Sequence, residues 1–175
     1  VAEKFDIRTE RIDLTPLYDK FLEILPEDDL IAKSNLKPRL RMITLYYFAS
    51  VYDYLVCGSG NKSELMVGYF TKYGDGGVDL LPLGGLYKTQ VRKLAKVLEI
   101  PGEIIEKPPS AGLWEGQTDE EELGITYENL DRILKAIEEE KLEKIEEKDV
   151  DNVKEMIRKS DHKRKMPEIF VPELG

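Results

Sequence analysis

Tyr54-Leu-Val-Cys57, followed directly by Gly58-Ser-Gly-Asn-Lys-Ser-Glu-Leu-Met-Val-Gly68, decides the reading of this chain. The four apolar residues read as a short buried strand. The glycines then break the run, and a polar helix start follows. Asn61 is placed to cap that helix, and Glu64, three residues on, can return the bond as a capping box. A strand–loop–helix turn of this kind offers backbone N–H groups to an anion such as phosphate. Glu64 adds a carboxylate beside that anion, where magnesium commonly bridges. Taken alone, the same residues are also compatible with an ordinary glycine-rich connection carrying a good cap.

Composition narrows the setting. The 175 residues suffice for one domain with a proper core. A net charge of −9 argues against a general nucleic-acid binder, whose affinity rests on neutralising phosphates. It leaves room for a phosphorylated small molecule gripped by a few lysines and arginines in one cleft. Cys57 is the single cysteine, so an intrachain disulfide is impossible and a reducing cytoplasm is the expected setting. There is no apolar run of membrane-spanning length, so no membrane partner is expected.

Outward from the central turn, Arg11-Ile-Asp-Leu14 predicts a short strand, and Thr15 with Pro16 predicts the start of a helix. A longer helix is predicted from near Pro38 to Asp53, its aromatics Tyr46, Tyr47, Phe48 and Tyr52 serving packing or subunit contact. Gly74-Asp-Gly-Gly-Val-Asp79 is too glycine-rich for regular structure and suits a ligand-approaching loop. Leu86 to Ile100 predicts a helix closed by Pro101. Residues 107–117, with the only tryptophan, Trp114, read as an irregular loop able to act as a lid. Thr118 with Glu121, and then Thr126, open two further helices, and a last one runs from about Val150 to Ser160. Alternating strand-like and helical segments define one α/β domain over residues 1–175 with a parallel sheet. Two strands make a poor parallel sheet, however, so further strands are expected to be missing ahead of this sequence.

Taken in order, these segments resemble one family. Asn35-Leu-Lys-Pro-Arg-Leu-Arg-Met42, Gly58–Gly68, Gly74–Asp79, Leu86-Tyr-Lys-Thr89, Pro109-Ser-Ala111, Gly116-Gln-Thr-Asp-Glu120 and His162-Lys163 stand in the order and spacing of the ammonia-dependent NAD synthetases, which are N-type ATP pyrophosphatases. The resemblance runs from about Ile12 to Pro167. It implies a flavodoxin-like, doubly wound parallel sheet with flanking helices, and a homodimer with the dinucleotide bound across the subunit interface. The implied reaction is amidation of nicotinic acid adenine dinucleotide (deamido-NAD). ATP and magnesium adenylate the pyridine carboxylate with loss of pyrophosphate, and ammonia displaces AMP to give NAD.

Position by position, the resemblance implies ATP contacts for Ser59, Lys88 and Ser110. Ser59 stands where the family usually carries threonine, and it keeps the hydroxyl. It implies a magnesium ligand in Glu64, and deamido-NAD contacts in Arg39, Lys72, Asp79, His162 and Lys163. Read singly, Arg39, Lys72, Lys88 and Lys163 are ordinary solvated charges, and their matched spacing sets them apart. One departure matters: the family's phosphate loop, Ser-Gly-Gly-x-Asp-Ser, does not occur in these 175 residues. The chain is therefore expected to be the larger C-terminal portion of a synthetase, unable to adenylate unaided. The competing expectations are a non-catalytic dimerisation or dinucleotide-binding module, and an N-type ATP pyrophosphatase acting on a different substrate.

Overall fold

A computed structural model describes residues 1–26, 29–142 and 145–172. Among these, the helices in chain order are α1 (Thr15–Ile24), α2 (Leu30–Tyr52), α3 (Lys62–Val67), α4 (Lys88–Val97), α5 (Gly102–Glu106), α6 (Asp119–Leu123), α7 (Tyr127–Glu138), α8 (Glu147–Lys159) and α9 (Asp161–Arg164).

The core forms where helical periodicity is strongest. In α7 the residues Tyr127, Leu130, Ile133 and Leu134 fall on one face and are fully excluded from solvent. They pack with Val67 of α3, Tyr87 ahead of α4, and Val150 and Val153 of α8. Burial of each large aliphatic side chain here stabilises the fold by roughly 1.5–3 kcal/mol.

Helix starts follow the predicted chemistry. Asn61 Oδ1 accepts from the Glu64 N–H at 3.1 Å, and Glu64 Oε2 accepts from the Asn61 N–H at 3.0 Å, closing the capping box. Thr118 Oγ1 accepts from the Glu121 N–H at 3.3 Å, and Thr126 Oγ1 from Asn129 at 3.4 Å. Replacing Asn61 with Ala is expected to cost about 1 kcal/mol in urea unfolding, and Thr118→Ala a similar amount.

Several expectations are corrected. Residues 11–14 form no strand among the described residues, because no neighbouring segment pairs with them. Asp13 Oδ1 accepts the Thr15 N–H at 2.9 Å, so α1 is capped from ahead of Thr15. Helix α2 begins at Leu30, with Asp29 Oδ1 accepting from Ala32 N–H at 2.6 Å, and it runs straight through Pro38. Proline removes one helical hydrogen bond there. Ser34 and Pro38 are both buried, and between them in sequence Asn35 Oδ1 accepts from Thr71 Oγ1 at 2.7 Å. Helix α4 runs over Lys88–Val97 rather than to Ile100, and Glu99, at φ 54°, has already left it ahead of Pro101. The Pro101 carbonyl accepts from Ile104 N–H at 2.9 Å and so starts α5.

The sheet is much reduced relative to expectation. Among the described residues it consists of one isolated parallel bridge between Cys57 and Leu80. Gly58 N–H donates to Leu80 O at 2.8 Å, and Leu80 N–H to Val56 O at 3.1 Å. With α3 lying between the paired segments in sequence, this is a strand–helix–strand crossover in miniature. No helix among the described residues is long and apolar enough to cross a membrane.

Candidate functional site

The capping box fixes Glu64 at the first turn of α3 and leaves its Oε1 free to face outward. Lys88, the first residue of α4, donates from Nζ to that oxygen at 2.8 Å. The same ammonium lies 4.0 Å from Asp119 Oδ2, at the start of α6, and 4.8 Å from the centre of the Tyr127 ring. Tyr127 donates its hydroxyl to Asp119 Oδ2 at 3.0 Å, with Glu64 Oε1 at 3.4 Å. Tyr69 donates to Glu122 Oε2 at 2.7 Å and lies 3.2 Å from Asp119 Oδ1. The result is one ammonium set between two carboxylates, screened from water by two phenols.

Burial pushes the phenols of Tyr127 and Tyr69 far above the usual tyrosine range, so both remain neutral donors. Burial also raises the Asp119 carboxyl, against the opposing pull of the Tyr127 hydroxyl and the Lys88 ammonium. A raised folded-state value means that Asp119 favours the fold below about pH 3.9, its unfolded value. That contribution is lost as pH rises through the folded value. The stability advantage of wild type over Asp119→Asn is therefore expected to shrink between acid and neutral pH, as urea unfolding of both proteins across that range would measure.

A cavity of about 490 Å³ opens beside this cluster. Ser59, Glu64, Lys88 and Ser110 all line it, together with Asp119 and Arg92, so the residues expected to meet ATP and magnesium converge on one space. Apolar closure comes from Val91 and Ala95 of α4 and Ile104 and Ile105 around α5. A second cavity, of about 440 Å³, shares Ser59, Tyr69, Asp75 and Ser110 with the first, and contains Trp114 and Lys163.

The residues expected to meet deamido-NAD are dispersed. Lys163 lines the second cavity, and its Nζ donates to the carbonyls of Gly68 and Phe70, each at 2.8 Å. Lys72 Nζ donates to the His162 carbonyl, while the His162 residue is exposed. Asp79 accepts from Val56 N–H at 2.7 Å and from the Tyr46 hydroxyl at 3.0 Å, which braces the paired segment. Arg39 is exposed on α2, and Arg41 is the arginine of that helix lining the second cavity. In the glycine-rich turn the amides divide: those of Ser59 and Gly60 have no hydrogen-bond acceptor among the described residues, and the others are bonded within the protein. The Gly58, Asn61 and Lys62 N–H groups are satisfied by Leu80 O, Glu64 Oε2 and Leu86 O. Asp119, Tyr69 and Tyr127 were not read as site residues from sequence. The one available signal was the place of Asp119 within Gly116–Glu120.

Among the described residues, no group of three or more His, Cys, Asp or Glu side chains can hold a metal unaided. Magnesium does not require one: it keeps several waters and takes one or two carboxylates plus substrate phosphates. Glu64, largely shielded and lining the cavity, fits that role, and Asp119 stands on the other side of Lys88.

A sheltered carboxylate–ammonium cluster at a strand-to-helix crossover, opening on a nucleotide-sized cavity, suits an enzyme acting on phosphorylated substrates. Residues 1–167 match the NAD synthase family, and the chain belongs to it. The NH3-dependent NAD(+) synthetase of Archaeoglobus fulgidus is 53% identical over 169 residues, covering 97% of this chain and 68% of that protein. Its counterpart from Sulfolobus acidocaldarius is 50% identical over 167 residues, covering 91% and 60%. Among solved structures, the NMN synthetase of Francisella tularensis superposes with a TM-score of 0.87 at 39% identity, covering 99% of this chain and 70% of that one. The NH3-dependent NAD synthetase of Campylobacter jejuni, in complex with the nitrate ion, gives 0.81 at 30% identity, covering 97% and 69%. The chain thus spans between 60% and 70% of the length of these four relatives. The family is one of ATP-dependent ligases with a mixed α/β fold.

Proposed function

We propose that this chain serves ammonia-dependent NAD synthesis: ATP-dependent amidation of deamido-NAD through an adenylated carboxylate. A carboxylate is a poor electrophile until its oxygen becomes a leaving group. Adenylation supplies that, and ammonia then displaces AMP. The protein's part is alignment and charge stabilisation around phosphates. Lys88 meets a phosphate oxygen, Ser59 and Ser110 offer hydroxyls to ATP, and the apolar residues of α4 and α5 exclude water. Glu64 is the residue that would hold magnesium, whose positive charge would offset that of the phosphates. Arg39, Lys72, Asp79, His162 and Lys163 serve the dinucleotide in a homodimer whose subunits meet beside it, within a flavodoxin-like doubly wound sheet and in the cytoplasm. The observation that carries the reading is the gathering of Ser59, Glu64, Lys88 and Ser110 around one cavity.

Titration calorimetry with Mg-ATP and with deamido-NAD, run separately, tests it. Trp114 fluorescence gives a parallel signal from the second cavity. Both ligands are expected to bind, and the protein as its gene encodes it is expected to form NAD, AMP and pyrophosphate in equal amounts. Nicotinic acid mononucleotide belongs in the assay as a competitor, since a similar solved structure is an NMN synthetase. Preferential amidation of the mononucleotide would overturn the substrate assignment. Binding of the dinucleotide without ATP would point instead to a dinucleotide-binding module.

A further inference from the structure

The N-terminus of α4 is capped by side chains from two other helices. Within the helix, Gln90 Oε1 accepts from the Tyr87 N–H at 2.8 Å, which leaves the Lys88 and Thr89 amides to be met from elsewhere. The first turn of a helix leaves N–H groups without intrahelical partners, and here two of them meet buried oxygens. The Lys88 N–H donates to Ser63 Oγ of α3 at 2.9 Å, and the Thr89 N–H to Asp131 Oδ2 of α7 at 2.8 Å. Ser63 in turn donates its hydroxyl to Asp131 Oδ1. Ser63 is fully buried and Asp131 is 6% exposed. Neither lines the cavity.

We infer that Asp131 is a positioning residue for Lys88, acting through Ser63 and the first turn of α4. Both oxygens of its carboxylate are committed to that turn, one directly and one through the serine hydroxyl. A negative group at a helix N-terminus is also favoured by the helix dipole. The bonds anchor the backbone of the residue whose ammonium faces Glu64, and Ser63 is the neighbour of Glu64 on α3. The carboxylate on α7 thereby sets the separation of Lys88 from Glu64 without touching either side chain. An apolar residue at 131 would fill the core equally well but would leave two donors buried and unpaired, and α4 free to shift. The inference deepens the ATP-site reading and rests on it for its functional meaning.

Competitive acetylation with trace acetic anhydride, quantified lysine by lysine by mass spectrometry, reads the position of Lys88 without any ligand. In Asp131→Asn, one of the two acceptor oxygens becomes a donor. Lys88 is then expected to label faster by roughly three- to tenfold, the range of one net intramolecular hydrogen bond. Lys62, on α3 and paired with Glu138 at 2.6 Å, should keep its wild-type rate, as should the exposed Lys135 on α7. General loosening of the fold would raise Lys62 together with Lys88. Ser63→Ala provides a second variant that breaks the same relay and should accelerate Lys88 in the same way. Unchanged Lys88 labelling in a folded variant would overturn the inference, as would equal acceleration at Lys62. Loss of folding in both variants would assign the pair to stability alone and also overturn it. Protection of wild-type Lys88 by Mg-ATP is read in the same experiment. Absent protection would count against the ATP-site reading, leaving the Asp131 result to stand on its own.

Discussion

Glu64→Gln is expected to lower NAD formation by roughly a hundredfold or more, the usual cost of removing a key electrostatic group from a water-excluded site. The substitution separates two roles of one side chain. Glu64 Oε2 closes the cap by accepting from Asn61 N–H, and the amide oxygen of glutamine can still accept that bond. Glu64 Oε1 supplies the negative charge facing Lys88, and glutamine cannot supply it. The glutamine NH2 would face the Lys88 ammonium where an acceptor stood, so the unfolding midpoint is expected to fall as well, with turnover falling further than the loss of folded protein accounts for. The measurement is kcat for NAD formation beside the midpoint of unfolding. A variant that keeps turnover within about a factor of two, hardly 0.4 kcal/mol in barrier, removes Glu64 from the active site.

The second large effect is structural. Gly68 ends α3 in the left-handed region, at φ 70°. A methyl group there would lie 2.1 Å from Ser160 Cβ and 2.5 Å from its Oγ. Ser160 cannot turn aside cheaply, because its hydroxyl donates to Met156 O at 2.7 Å and accepts from Arg164 Nη1 at 2.8 Å. Left-handed backbone with a Cβ costs about 1–2 kcal/mol, and overpacking about 1–3 kcal/mol. Gly68→Ala is thus expected to lose roughly 2–5 kcal/mol, a large part of a typical domain's stability. Urea unfolding would measure it. Adding Ser160→Gly should recover the overpacking part and leave the backbone part. Full wild-type stability in the single variant would show that α8 and α3 can separate there at no cost.

How much could be read beforehand depended on the range of each interaction. The caps at Asn61, Thr118 and Thr126 join residues three apart, so their chemistry is complete within a short stretch. The stripe through Leu130, Ile133 and Leu134 is local in the same sense. Residues 11–14 have strand-like composition, but a strand exists only with a partner, and none is written beside them. Pro38 and Pro101 misled because proline's effect depends on surroundings: one is buried inside α2, the other starts a helix. In the site, the family resemblance marked Ser59, Glu64, Lys88 and Ser110, and these meet at one cavity. Asp119 opens a run of four consecutive acids, 119–122, and Tyr127 lies in none of the stretches that the resemblance marks. Their roles arise from contacts between α3, α4, α6 and α7, which no local pattern encodes. The acceptors that take up the Gly58 and Lys62 amides, Leu80 and Leu86, were illegible for the same reason, since they lie far along the chain.

The placement of the apolar core carries a consequence for how the molecule opens. The buried cluster draws on α3, α7, α8 and Tyr87, whereas α1 contains no buried residue. Resistance to opening should therefore be graded along the chain. In deuterated solvent, amides of α1 should exchange through small, frequent excursions, while those of Ile133 and Leu134 wait for the whole molecule to come apart. The segment ahead of the ligand site would breathe on its own timescale, while Tyr127, carried on α7 within the buried cluster, would share the slowest clock in the protein.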